Sequence, residues 1–388
     1  MYCTRTLTDS VSWVGGTDRR LALFENLFPI PRGITYNSYL ILDEKTALID
    51  TVDSSITLQF LENIQFVLNN RPLDYLVINH MEPDHCASIA QLLLYYPNLK
   101  LVGNRKTFEL LHQFYHLDLT GRTIPVREND FLSLGNHTLR FAFAPMVHWP
   151  EVMVTYEQHE KILFSADGFG KFGTLDTDED WTDEARRYYI NIVGKYGAQV
   201  QALLKKASAL DIKMICPLHG PILKENLGFY LEKYNIWSSY TAEDEGVLVA
   251  YASIHGNTKN AAKLLVEKLK ARGVQHIAVA DLSRDDMAQA VSDAFRYSRM
   301  IVAASSYDAG VFPCMETFLR KLKAKAYQSR RVAIVENGSW APTAAKCMRA
   351  ILEEMKNIQI CGQTVTIKSA VKPETLKAFD VMLDELLA

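Results

Sequence analysis

Apolar positions follow two different rhythms along this chain. The first part is built of short strand-like runs separated by polar turns, such as Ser38 to Leu42 and Thr46 to Asp50. Leu73 to His80 reads as a buried strand running into a polar turn, followed by helical stretches around Ser88 to Leu94 and Phe108 to Tyr115. More strands are predicted at Leu139 to Pro145, Val152 to Tyr156 and Lys161 to Asp167. A longer helix is predicted from Glu184 to Ala207, and a last strand from Lys213 to Pro217, just before His219. The polar, acidic stretch Ser238 to Gly246 reads as a linker. Beyond it the pattern becomes a regular alternation. Four β-rich apolar runs (VLVAYA, HIAVAD, MIVAAS, RVAIVE) are interleaved with helical segments at Thr258 to Arg272, Pro313 to Lys325 and Thr343 to Met355. Such alternation implies a doubly wound parallel sheet with helices on both faces. The expected division is residues 1–240 and 241–388.

Composition fits this picture. A length of 388 residues suits two domains, and 48% hydrophobic with 22% charged residues is ordinary for a globular chain. A net charge of -3 without a basic stripe argues against nucleic acid as a partner. No apolar run approaches the roughly 18–20 residues of a membrane span, and the first residues lack the basic and apolar regions of a signal peptide. The six cysteines are scattered with no C-x-x-C pair, which argues against a disulfide framework, a zinc ribbon or a rubredoxin module. A reducing cytoplasm is the expected location.

The densest chemical signal is His80-Met81-Glu82-Pro83-Asp84-His85, where a buried strand gives way to a loop. A polar turn with two surface histidines would be the bland explanation. Against it, three further ligand-type residues recur at strand ends: His148, Asp167 and His219. The order H-x-E-x-D-H, then H, D and H, resembles the metallo-β-lactamase superfamily, whose usual first motif is H-x-H-x-D-H. Glu82 stands where that motif has its second histidine. A carboxylate in place of an imidazole adds negative charge and a hard oxygen donor, which suits iron better than zinc and favours its ferric form.

The motifs ITYNSYLI, NHMEPDHCAS, HWPEVMVTY, FSADGFGKFG, RRYYINIV and PLHGPI together resemble the flavodiiron proteins over nearly the whole length. That resemblance implies an N-terminal metallo-β-lactamase-like αββα sandwich followed by a flavodoxin-like domain. It implies that His80, Glu82 and His148 bind one iron, Asp84, His85 and His219 the other, and that Asp167 bridges the two. Trp149 matches as well and is expected to line the pocket or simply to pack.

In the second part, the strand Val247 to Ala252 runs into Ser253-Ile254-His255-Gly256-Asn257-Thr258 and then a helix. Backbone N–H groups, two hydroxyls and a helix N-terminus suit a phosphate there. The loop resembles the flavodoxin phosphate loop T/S-x-T-G-N-T, with His255 replacing a hydroxyl residue. Two more loops follow parallel strands: Ser305-Ser306-Tyr307-Asp308-Ala309-Gly310 and Asn337-Gly338-Ser339-Trp340-Ala341. Tyr307 and Trp340 could flank an isoalloxazine ring or merely pack on the surface. Without G-x-G-x-x-G at the first strand, FMN fits better than a dinucleotide.

The resemblance implies an enzyme that passes electrons from FMN to two irons per chain, reducing dioxygen to water or nitric oxide to nitrous oxide. Tyr188 and Tyr189 are candidates to line the pocket or feed it protons. The family further implies a separate electron donor such as rubredoxin and a head-to-tail homodimer or dimer of dimers. The competing expectations are a zinc hydrolase fused to a flavodoxin, and an electron carrier whose metal domain is only scaffold.

Overall fold

The computed structural model describes residues 2–176 and 180–388. It divides into two compact units, Met1–Tyr189 with Ala198–Asn235, and Ile190–Gly197 with Ile236–Ala388. Among the described residues no helix is long and apolar enough to cross a membrane.

The first unit holds a seven-stranded and a five-stranded sheet. Their facing sides share one core: Val11, Tyr39, Ile49 and Val77 of the first meet Leu139, Phe141, Met153 and Phe164 of the second. The strands Tyr39–Leu42 and Thr46–Ile49 pair antiparallel, and Ile49, Val77 and Val102 then lie side by side on parallel strands. Helices Thr57–Leu68 and Arg105–Phe114 pack on this sheet. The second starts where the Asn104 side chain accepts the Thr107 N–H at 3.0 Å, a side-chain N-cap. In the second sheet, Ile162–Phe164 and Met214–Cys216 run parallel with Phe164 opposite Cys216. Strands Tyr75–Val77, Ile162–Phe164 and Met214–Cys216 therefore deliver His80, Asp167 and His219, each three residues beyond its strand's last residue.

In the second unit the order of parallel strands is Ile277–Asp281, Asp244–Ala252, Tyr297–Tyr307, Arg331–Asn337, then Gln359–Ile360. Numbered along this unit that is 2-1-3-4-5, the flavodoxin order. Helices Asn257–Ala271 and Pro373–Leu387 seal one face through Ala261, Leu265, Phe379 and Leu383. Helices Met287–Arg296, Pro313–Ala324 and Ala344–Glu353 form a second layer.

Several expectations need correction. The helix foreseen from Glu184 to Ala207 is two, Trp181–Ile192 and Gly197–Ala207, with a tight turn Gly194–Tyr196 between them. Glycines at both ends of that turn weaken a continuous helix. The linker foreseen from Ser238 to Gly246 shrinks, because helix Leu227–Ser238 runs into it and strand Asp244–Ala252 begins inside it. The acids that suggested a linker are paired: Asp244 with Arg296 and Glu245 with Arg299, each at 2.6 Å. A fifth parallel strand, in the two pieces Gln359–Ile360 and Val365–Ile367, joins the four foreseen.

Candidate functional site

The seven residues singled out as ligands converge, although they come from four stretches of chain. Nε2 of His80 lies 3.3 Å from Glu82 Oε2 and 3.4 Å from Asp167 Oδ2, and Nε2 of His148 lies 3.0 and 3.1 Å from the same two oxygens. On the other side, Nε2 of His85 is 3.3 Å from Asp84 Oδ2, 3.3 Å from Asp167 Oδ1 and 3.0 Å from Nε2 of His219. These are two ligand-type clusters, His80-Glu82-His148-Asp167 and Asp84-His85-His219. Asp167 turns Oδ2 to one and Oδ1 to the other. Separations of this size are the polyhedron edges expected around a cation with bonds of roughly 2.0–2.2 Å.

The polar chemistry of the pocket fits cations. The Nδ1 of His219 is 2.7 Å from the Thr35 carbonyl oxygen. A carbonyl only accepts, so Nδ1 carries the proton and a neutral ring leaves a lone pair on Nε2. That lone pair and the ring of His85 meet the same Asp84 oxygen, at 3.3 Å each. All four carboxylate oxygens of Asp84 and Asp167 are buried and receive no hydrogen bond. Leaving such groups unpaired costs far more than a cation among them would. Burial alone would raise the Asp167 carboxyl, but His80 and its neighbouring histidines hold it well below the usual range. Burial disfavours charge on His148, yet Asp167 and Glu82 push that ring up to about 9. Both shifts express the same demand for positive charge between the carboxylates.

The ligand turn is itself anchored. The buried Asp50 carboxylate accepts the Asn79 N–H at 2.7 Å, the His80 N–H at 3.2 Å and the Asn79 amide at 2.9 Å. Glu151 is also buried and accepts from His80 Nδ1 and from the Met81 N–H, both at 2.8 Å. Neither Asp50, Glu151 nor Thr35 stands out in the sequence, because each acts through a neighbour distant along the chain. Only HWPEVMVTY hinted at Glu151, as an acid beside a ligand. Trp149 stands edge-on to His80 with ring centroids 5.4 Å apart and stacks on Phe114. The two tyrosines part company: Tyr188 lies 5.5 Å from the His219 ring, whereas Tyr189 packs on Tyr234. An adjoining cavity of about 540 Å³ reaches Glu82 and Asp84 and is walled by Phe24, Glu25, Asn26 and Tyr36.

The second unit brings the three foreseen loops around one cavity of about 540 Å³, a size that suits a cofactor. Its wall comprises Ser253, Ile254, His255, Asn257 and Thr258 from the first loop, Ser305 to Ala309 from the second and Asn337 to Ala341 from the third. Gly256 and Gly310 do not line it. Gly256 instead makes the left-handed turn (φ 92°) that opens helix Asn257–Ala271. Gly310 pairs with Tyr307 across a hairpin turn, since the strand expected to end at Ser305 continues to Tyr307. Ser253 Oγ accepts the Gly256 N–H at 3.1 Å, and the Thr258 and Ser305 hydroxyls are 2.9 Å apart. Thr343 and Ser369 join the wall unforeseen; Ser369 follows the strand the sequence reading missed. Trp340 is 92% exposed and Tyr307 44% exposed, so both rings stand at the cavity with free faces.

Comparison with known proteins agrees with both halves. Residues 34–220 match the family described as ODP family beta lactamase. A nitric oxide reductase of Moorella thermoacetica is 28% identical over 96% of this chain and 95% of its own. An anaerobic nitric oxide reductase flavorubredoxin of Aliivibrio salmonicida is 28% identical over 95% of this chain and 80% of its own. The rubredoxin oxygen:oxidoreductase from Desulfovibrio gigas superposes with a TM-score of 0.92 at 25% identity, covering 99% of this chain and 98% of that one. With a metallo-β-lactamase-like unit, a flavodoxin-like unit and relatives matched along both, the chain is similar over nearly its whole length to flavodiiron oxidoreductases.

Proposed function

We propose that this chain reduces dioxygen to water or nitric oxide to nitrous oxide, using FMN and two irons. The observation that carries the reading is Asp167, whose two oxygens are shared between two ligand clusters. A carboxylate split in this way serves two cations rather than one, and Glu82 in a histidine position adds the hard donor iron prefers over zinc. His80, Glu82 and His148 would hold one iron, Asp84, His85 and His219 the other, with Asp167 between them. Iron bound there would supply electrons and Lewis acidity to a small oxidant, and FMN would accept electrons in pairs or singly and release them singly.

The chain's own groups then have distinct tasks. The Thr35 carbonyl fixes which nitrogen of His219 is free to ligate. Asp50 and Glu151 set the backbone and ring of His80. The cavity beside Glu82 and Asp84 gives a small molecule access, and Phe24 and Tyr36 keep part of its wall apolar. Tyr188, against His219, is placed to line the pocket; burial, then the carboxylates of Asp167, Asp84 and Glu82, keep its hydroxyl protonated far above neutral pH. Tyr189 has the weaker case. In the second unit the Ser253 to Thr258 loop suits a phosphate, and the Tyr307 and Trp340 loops suit a flat ring system.

The names of relatives support both gases, nitric oxide for the Moorella protein and oxygen for the Desulfovibrio one. A rubredoxin-type donor, a head-to-tail dimer or dimer of dimers that sets the flavin of one copy near the irons of another, and a cytoplasmic location complete the proposal. The test is elemental and flavin analysis of the purified protein, followed by turnover with each gas under a reduced donor. Two irons and one FMN per chain with gas consumption are expected. Zinc in protein produced with ample iron, or FAD released on acid precipitation, overturns the reading.

A further inference from the structure

We propose that Glu151 is a positioning residue that makes the two metal positions electronically unequal, biasing the one built on His80 toward the ferric state. This rests on the di-iron reading above. The three ring nitrogens whose far-side contacts are defined are held differently. Nδ1 of His80 meets a buried carboxylate, Glu151 Oε1, at 2.8 Å. Nδ1 of His219 meets a neutral carbonyl, Thr35 O, at 2.7 Å. Nδ1 of His85 is buried without a hydrogen-bond partner. An anionic acceptor draws the Nδ1 proton more strongly than a carbonyl and leaves more electron density on the ligating Nε2.

Burial magnifies the effect. The side chains of His80 and Glu151 are both 0% exposed, so water screens neither. Glu151 is also fixed in place: its Oε1 accepts the Met81 N–H at 2.8 Å, and its backbone carbonyl accepts the Asn104 amide at 2.5 Å. The same oxygen thus holds the backbone of the ligand turn and the ring of its first ligand. The His80 position already has carboxylate oxygens from Glu82 and Asp167 around it. Glu151 adds a third negative charge one atom layer out and hydrogen-bonded to the ligating ring; buried Asp50 also acts on His85 electrostatically, but among the described contacts no carboxylate is hydrogen-bonded to Nδ1 of His85 or His219.

The experiment compares Glu151→Gln, which keeps the shape and an acceptor oxygen, with Glu151→Asp, which keeps the charge. Iron content, Mössbauer spectra and the two midpoint potentials of the di-iron centre are measured on the purified holoprotein. In Glu151→Gln both irons are expected to remain, one of the two Mössbauer doublets to shift, and one potential to rise while the other holds. Glu151→Asp should lie nearer the wild type in potential. If Glu151→Gln shifts neither potential, or both equally, the proposal is wrong. It is equally wrong if the two variants shift alike, since charge is then not the cause. Should Glu151→Gln fail to fold, Glu151→Asp alone decides: a potential near wild type supports the proposal, a shifted one overturns it. A failure of the di-iron reading shows separately, as wild-type protein without two irons.

Discussion

The metal pocket and the flavin-loop pocket have similar volumes at their mouths but opposite chemistry. The first reaches Glu82 and Asp84, and behind them lie imidazole and carboxylate side chains that are almost wholly buried, with the oxygens of Asp84 and Asp167 left without a hydrogen bond. The second is walled by hydroxyls, backbone and small residues, and its two aromatic rings are open to solvent. In the first, function depends on the identity of single side chains. In the second it depends on the path of the backbone, so His255 can stand in a hydroxyl position without dismantling the loop. A buried ion site is unforgiving because each lost ligand leaves an uncompensated charge. A backbone cradle is tolerant of side chains but not of changes that bend it or reverse its charge.

The largest test of this contrast is Asp167→Ala. Both metal positions should lose occupancy together, and turnover should fall by more than the about 10–100-fold typical of an outer contact. His219→Ala should empty chiefly one position. Flavin content should be unchanged in both; elemental analysis alongside flavin absorbance checks this, and equal metal loss in the two variants would undo the bridging role. Next in size is Gly256→Asp. It adds a charge where a phosphate is expected and a side chain at a φ of 92°, so flavin should be lost while iron is retained. Trp340→Ala should matter far less. An aromatic contact is worth about 0.5–1.5 kcal/mol, which corresponds to flavin binding weakened a few-fold to about tenfold in a titration.

The smallest effect is expected away from both pockets. The Glu157 hydrogen bond raises the His137 ring, and burial would raise Glu157 but the His137 contact and two backbone N–H groups lower it. The histidine's contribution to stability is complete below its unfolded pKa of about 6.5 and is lost as pH rises through its higher folded value. The carboxylate's is complete above about 4.3 and is lost as pH falls through its lower folded value. Stability should therefore plateau between those limits and decline gently on the alkaline side. His137→Gln should flatten that alkaline decline, measured as melting temperature against pH.

How far the sequence carried depended on distance along the chain. His80, Glu82, Asp84 and His85 crowd into one turn, and His148, Asp167 and His219 each follow an apolar strand, so the cluster was legible before any coordinates. Glu151 and Thr35 were not, because an acid or a carbonyl gains its meaning only from a partner 71 or 184 residues away. The flavin loops were legible as strand-to-helix turns, but Ser369 was hidden behind a strand of three residues, Val365–Ile367, too short to show an alternation. Helix Thr57–Leu68 escaped notice although Phe60, Leu61, Ile64 and Leu68 mark its buried face. Helix Leu227–Ser238 gives little such signal, as its apolar residues are spread around the axis.

Asn37 shows what the pinning of His219 means for how the molecule is made. Its amide donates to the carbonyls of Pro217 and Gly220 at 2.8 and 2.9 Å, and its oxygen accepts the Trp13 indole N–H at 2.8 Å. The Gly220 N–H reaches the Thr35 hydroxyl, 185 residues back. Contacts of such span form late, because a long loop must close before they return any stability. A chain growing from its N-terminus therefore exposes six of the seven ligands before the seat for the last one exists. A cation captured at that stage would meet His80, Glu82 and His148 around Asp167, but only Asp84 and His85 on the far side. The Asp84-His85-His219 side is therefore the part of the site whose geometry waits on the longest loop closure, the docking of Pro217 to Gly220 onto Thr35 and Asn37.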